Sequence, residues 1–304
     1  MKKILSVSLG SCRRDHVTEC EFLGQACQLS RRGTDGDFDK AIELYREYDG
    51  KVDAFGVGGT FFYVHVGDRR YYWREMSRIR EAVKISKIGD GNGVKGLLAG
   101  RAFAALEQHL QKEGRTLRGM RGLMTCAVDR YGMAEAMVDS GVNTVIGDFM
   151  FTMGLNLPMR RLSTVRAVAG VLLPVITRLP FRWFYPLGEE QDREPNLRWR
   201  RYYEEAELIA GDFLQIRDYM PPDMSGKIIL TNTTTAADRE ELQKRGARIL
   251  VTTTPRLAGR SFGTNVIEAT LLALSDKPQE QIGEAEFLEL IGRIPILPTI
   301  EVLN

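Results

Sequence analysis

Residues 89–96 read Gly-Asp-Gly-Asn-Gly-Val-Lys-Gly, and within them Gly91, Gly93 and Gly96 carry the spacing G-x-G-x-x-G. A β-like run, Val83–Ile88, precedes them and a long helical pattern follows. In that setting one glycine turns the chain off the strand. The next lets backbone N–H groups approach a pyrophosphate, and the third lets the helix sit close to the sheet. The spacing therefore predicts a dinucleotide or phosphate site at Gly89, Gly91, Gly93 and Gly96. The competing reading is a glycine-rich turn joining a strand to a helix. Asp129 follows the next predicted strand, where an acidic residue holds a ribose. Arg130 beside it would favour a 2′-phosphate, so the cofactor reads as NAD or NADP; a plain surface turn explains the pair equally well.

Other residue types suit proton transfer and hydrogen bonding. His16 lies in a loop with Ser11, Arg13, Arg14 and Asp15, and by type it is the leading general acid or base. Lys95, inside the glycine loop, is the second candidate for a catalytic proton relay. Two threonine clusters, Thr231–Thr235 and Thr252–Thr254, each follow a predicted strand. Their hydroxyls, with Asn232, suit a polyol, carboxylate or phosphate. Asn232, Thr233, Thr254 and Arg260 are accordingly the expected substrate contacts, against β-propensity and helix capping as the plain explanation. Gly-Asp-Phe also recurs at 147–149 and 211–213, each time ending a strand. Either aspartate would face a ligand or cap the next segment.

These residues need elements to hold them. Residues 1–82 read as an N-terminal α+β domain. It has strands at Ile4–Leu9, Cys20–Leu29 and Val52–Val57, a helix over Phe38–Tyr48, and a hairpin around Gly67-Asp68. From Val83 strands and helices alternate, which predicts βαβ units and a Rossmann-like, mostly parallel sheet over 83–304. The fold class is therefore α/β.

An insertion at 155–187 departs from this pattern. It is apolar and basic, with Arg160, Arg161, Arg166, Arg178 and Arg182 and no acidic residue. Its uncharged part is too short to cross a bilayer. It would rest on a membrane surface, cover an apolar ligand, pack as a core helix or form a homodimer interface.

The bulk composition narrows the classes further. The net charge of +2 gives no general attraction to nucleic acid. Four cysteines without a C-x-x-C pair, and three histidines, give no zinc pattern and fit reduced thiols in a cytoplasm. The sequence has no G-x-S-x-G elbow, no G-x-x-x-x-G-K-[ST] loop and no H-E-x-x-H.

Taken together, SVSLGSCRRDH, GTDGD, VDAFGVGG, GDGNGVKG, TNTTT and TTTPRLAGRSFGTNVIEA resemble bacterial proteins labelled quinate 5-dehydrogenase, or shikimate/quinate-dehydrogenase-like. The resemblance implies a substrate domain ahead of a Rossmann domain, and NAD(P)-dependent oxidation of a hydroxyl on a cyclitol carboxylate. Residues 1–82 hold no N-V-T-x-P-x-K motif, so no catalytic residue follows from it. The leading expectation is a cytoplasmic NAD(P)-dependent oxidoreductase acting on a small hydroxylated molecule. The alternatives are a membrane-surface protein binding a lipid-like or isoprenoid ligand, and a nucleotide or sugar-phosphate transferase.

Overall fold

The computed structural model describes residues 1–184, 195–254, 256–257, 260–261, 263–294 and 296–304, with only the backbone at 256, 257, 260 and 261. Its first sheet grows from an apolar strand, β1 (Lys2–Ser8), in which Ile4, Leu5 and Val7 are all buried. Consecutive buried residues mean that both faces of the strand are covered, as in a parallel sheet. β2 (His16–Phe22) and β3 (Gln25–Gly33) follow, then α1 (Phe38–Tyr48), β4 (Ala54–Gly58), the hairpin β5 (Tyr63–Val66) and β6 (Arg69–Tyr72), α2 (Ser77–Ala82) and β7 (Lys87–Gly89). The sheet order is β2-β3-β1-β4-β7, parallel except for β2 against β3.

The single strand expected over Cys20–Leu29 is in fact two. Leu23 and Gly24 both take positive φ (53° and 74°) and reverse the chain between them. Leucine is a poor residue for that conformation, so the turn left no signal in the sequence. Of the strand expected to open the second sheet, Val83–Ile88, only Lys87 and Ile88 are extended; with Gly89 they form β7, which pairs with β4 and closes the first sheet.

The second sheet follows α3 (Asn92–Gln111). Its elements are β8 (Arg121–Met124), α4 (Tyr131–Asp139), β9 (Asn143–Ile146), α5 (Asp148–Met153), α6 (Leu162–Ile176), α7 (Arg200–Glu205), β10 (Leu208–Ala210), α8 (Phe213–Tyr219), β11 (Ile228–Thr231), α9 (Ala236–Lys244) and β12 (Ile249–Thr252). A short hairpin, β13 (Arg256–Leu257) with β14 (Arg260–Ser261), leads to α10 (Thr264–Leu274), α11 (Glu284–Arg293) and β15 (Thr299–Val302). The order is β15-β12-β11-β10-β8-β9, parallel except for β15.

The chain thus makes two lobes of mixed α/β type and passes between them before α3, before α10 and before β15. α10 lies within the 83–304 range expected to form the second domain, yet it returns to the first sheet. Asn265 Nδ2 donates to Ser6 Oγ at 3.0 Å, and Lys87 Nζ donates to the carbonyls of Leu272 (2.9 Å) and Ser275 (2.6 Å). One continuous apolar core reaches from Leu5 and Phe55 of the first sheet to Leu208 and Val251 of the second. Among the described residues no helix is long and apolar enough to cross a membrane.

Candidate functional site

In each sheet the chain winds first to one side of its opening strand and then to the other. In the first, β3 and β4 flank β1; in the second, β9 and β10 flank β8. Such switch points leave a crevice at the carboxyl ends of the strands, where open α/β sheets take their ligands. Here the two crevices open into one cleft of about 720 Å³. Gly10, Gly58, Gly59 and Thr60 line it from the first lobe; Cys126, Asp129, Arg130 and Asp212 line it from the second. A second groove of about 870 Å³ along α3 and α4 shares Lys95, Asp129 and Arg130 with it. The cleft is the better site because both switch points open into it.

Arg130 is the centre of the polar floor. It leaves the turn after β8 and donates from Nη2 to Asp212 Oδ2 at 2.6 Å, with Nε 3.4 Å from Asp129 Oδ2. With its oxygen turned inward, the Asn232 amide accepts from Nη1, Nε and Nη2 at 2.9, 3.2 and 3.1 Å. Desolvation opposes the guanidinium charge, but Asp129 and Asp212 outweigh it and hold Arg130 more firmly protonated than usual. Asp212 also caps α8, accepting from Leu214 N at 3.0 Å.

Asp148, the aspartate of the first Gly-Asp-Phe, accepts from the amides of Val128 (2.8 Å) and Ala127 (2.9 Å). Burial lifts its carboxyl to about 6 against those bonds. The Cys126 thiol is pushed up by burial, and its sulfur accepts from Asp212 N at 3.2 Å, so it is no reactive thiolate. Gln215 of α8 also lines the cleft, with its Oε1 buried away from the open space. Nothing in the sequence marked Gln215; only the direction of α8 brings it here.

Lys95 reaches the cleft from α3 with Nζ 4.9 Å from the centre of the Phe61 ring. Burial lowers its pKa, opposed by nearby Asp129. Asp90 sits behind it. It accepts from Phe62 N (2.7 Å), Asn92 N (2.9 Å) and Asn92 Nδ2 (2.9 Å), and burial raises its pKa.

The opposite wall is apolar. α6 presents Val165, Val168, Ala169, Leu172 and Ile176 to the cleft. Trp73 and Phe61 of the first lobe meet Phe181 of the second edge-on, at centroid distances of 5.1 and 5.3 Å. The 155–187 insertion is therefore a wall of the cleft and a bridge between lobes; residues 185–187 lie outside the described residues.

The other expected residues fall elsewhere. His16 starts β2, two strands out from β1; its Nδ1 lies 2.8 Å from Arg14 O, and it does not line the cleft. Asp15 next to it is engaged by Arg31 Nη1 (2.9 Å) and Gly33 N (2.6 Å). Thr233 lines the cleft. Thr254 is buried behind it and donates from Oγ1 to Asn232 O at 2.9 Å. The Arg260 side chain lies outside the described residues.

The glycine loop is filled by protein. Gly91 has φ 92°, and a Cβ there would lie 2.5 Å from Thr264 Oγ1. A Cβ on Gly93 would lie 2.7 Å from the Phe287 ring and 2.9 Å from Glu268 Oε1. Gly93 N donates to Glu268 Oε2 at 3.2 Å, so a carboxyl of α10 stands where an anion would bind. Gly96 meets Gly132 of α4, and Gly89 lies against Glu268 and Leu272. The spacing G-x-G-x-x-G thus serves a left-handed turn and two close helix contacts, not a pyrophosphate cradle.

A model of a domain of unknown function, DUF8754, matches residues 93–303, and the chain belongs to that family. A second, also a domain of unknown function, DUF8753, matches residues 3–90. No curated protein matches.

Among solved structures, an arabinose binding protein from Geobacillus stearothermophilus is similar at 8% identity and TM-score 0.43, over 99% of this chain and 96% of that one. A glucose-galactose binding protein from the same organism has 9% identity and TM-score 0.39, over 99% and 97%. An ABC transporter periplasmic solute binding protein from Actinobacillus succinogenes 130z, with bound D-allose, has 8% identity and TM-score 0.39, over 100% and 98%. The family model, together with a glycine loop already filled by protein, corrects the expected kinship with quinate 5-dehydrogenase and, with it, the NAD(P)-dependent oxidoreductase reading. The filled glycine loop gives the physical reason.

Proposed function

We propose that this member of the DUF8754 family binds one small amphiphilic molecule between its lobes, with a neutral, hydroxyl-bearing head on the polar floor and an apolar body along α6. The observation that carries the reading is the division of the cleft into those two ends. On the floor, Arg130 is already balanced by Asp129 and Asp212. An anionic head would meet those carboxylates and gain little from a guanidinium that is already paired. Hydroxyls can donate to Asp129 and Asp212 and accept from Lys95. At about 720 Å³ the cleft is of ordinary ligand-site size.

The test is calorimetric titration with an alkyl glucoside below its micelle concentration, the free sugar, and a fatty acid of the same chain length. The glucoside is expected to bind saturably and more tightly than either. Lys95→Met is expected to weaken it about tenfold, the scale of one lost buried hydrogen bond. Leu172→Asp, at the apolar end, is expected to abolish binding in a variant whose circular dichroism is unchanged. No binding of the glucoside, or tighter binding of the fatty acid, overturns the reading.

A further inference from the structure

The inner side of α6 is accounted for by the cleft, but its outer side is not. Thr164, Ala167, Val171 and Pro174 recur at helical spacing on the side opposite buried Val165, Ala169 and Leu173, and all four are exposed. Val171 is 73% exposed, Val175 62%, and Trp183 just beyond the helix 65%. Leu155 and Leu157, ahead of it, are also exposed. Among the described residues, six of the fifteen exposed large apolar side chains fall between Met153 and Trp183, so this is a patch and not scatter.

Charge frames the patch at both ends. Arg160 and Arg161 precede α6; Arg178 and Arg182 follow it; all four are exposed, with no ion pair among the described residues. Arg166 turns away, toward Tyr131 and the Gly67 turn. No Asp or Glu occurs from Phe149 to Phe184. Among acidic side chains of packed elements, Glu75 accepts from Phe181 N at 3.0 Å, and Asp68 and Glu135 lie near the inward-turned Arg166. A helix of fifteen residues is about 22 Å long, so the arginine pairs stand at the two ends of an apolar stripe. That is the layout of a helix lying in a lipid interface, its apolar side at the acyl boundary and its cations at the headgroups.

We propose that the outer face of α6, with Trp183 and the four arginines, docks this protein on an anionic phospholipid bilayer. The charge complementarity selects this occupant: a stretch of 36 consecutive residues that carries arginines and no carboxylate of its own repels a basic partner and suits a negatively charged sheet of headgroups. The proposal does not depend on what the cleft holds.

Trp183 makes the test residue-specific, because the other tryptophans, Trp73 and Trp199, are buried. The full chain is mixed with vesicles of phosphatidylcholine alone, or with about 30 mol% phosphatidylserine, and followed by co-sedimentation and tryptophan emission. Expected are binding to the anionic vesicles only, a blue shift that Trp183→Phe removes, and loss of binding as salt rises from about 0.05 to about 0.5 M. Arg160→Glu with Arg161→Glu is expected to weaken binding by at least about fivefold per residue. Val171→Asp is expected to abolish it without lowering the melting temperature, since the site is solvent-exposed.

Three results overturn the proposal. One is no binding to anionic vesicles at low salt. Another is binding unchanged in both sets of variants. The third is a dimer, seen by sedimentation without vesicles and broken by Val171→Asp, in a protein that ignores lipid.

Discussion

Replacing Glu268 by Gln is expected to change how stability depends on pH. Glu268 is buried at the junction of α3 and α10, accepting from Gly93 N, with Asp90 close by. Burial first, and then the Asp90 charge, lift its carboxyl from 4.5 to about 8. The unfolded chain releases this proton near its ordinary value. Between the two values the native state therefore binds more protons, and stability falls as pH rises. At about 1.4 kcal/mol per unit the ceiling is about 5 kcal/mol, and relaxation or water entry leaves about 2–5 kcal/mol.

Glutamine keeps the acceptor for Gly93 N and cannot ionise. Urea denaturation from pH 5 to pH 9 should show the variant gaining on the wild type across this window, level with it near pH 5 and more stable near pH 9. Asp148, also raised, adds the same slope to both proteins at lower pH and cancels in the difference. Parallel curves for the two proteins would mean that Glu268 is ionised in the native state, and the argument for a carboxyl filling the glycine loop would fail.

Two further substitutions probe the packing. Gly132→Ala places a Cβ 2.6 Å from the Gly96 backbone, which has no side chain to move aside, and should cost about 1–3 kcal/mol in urea denaturation. Gly96→Ala meets Gly132 at an ordinary 3.7 Å and should be neutral or stabilising by up to about 1 kcal/mol, so equal losses would refute the asymmetry. Phe181→Ala removes the ring that joins Trp73 and Phe61 across the lobes and should cost about 3–5 kcal/mol by the same measurement. A loss under about 1 kcal/mol would mean that the bridge does not hold the lobes.

Local physics was legible in the chain. The helix over Phe38–Tyr48 with its Asp37 cap, the hairpin at Gly67-Asp68, the strand at Leu208–Ala210 and the Thr235 cap of α9 all follow from nearest-neighbour chemistry, and the structure has them. The polar residues after strands were also legible as a class. Strands of a parallel sheet share one direction, and their carboxyl ends therefore share one edge. Lys95, Arg130, Asn232 and Thr233 do line one cleft for that reason.

What the glycines do was not legible. G-x-G-x-x-G looks the same whether its amides face a phosphate or a carboxyl from a helix 175 residues away, and only the return of α10 and α11 to the first lobe decides between them. The sequence alone determined the α/β class and the elements whose caps and turns are local, such as the helix over Phe38–Tyr48 and the Gly67-Asp68 hairpin, because those depend on neighbours along the chain. The tertiary structure alone decided that β7 closes the first sheet, that two switch points face each other, and that one side of α6 is wall while the other is open surface. Those facts depend on contacts between distant segments, which spacing along a single chain does not encode.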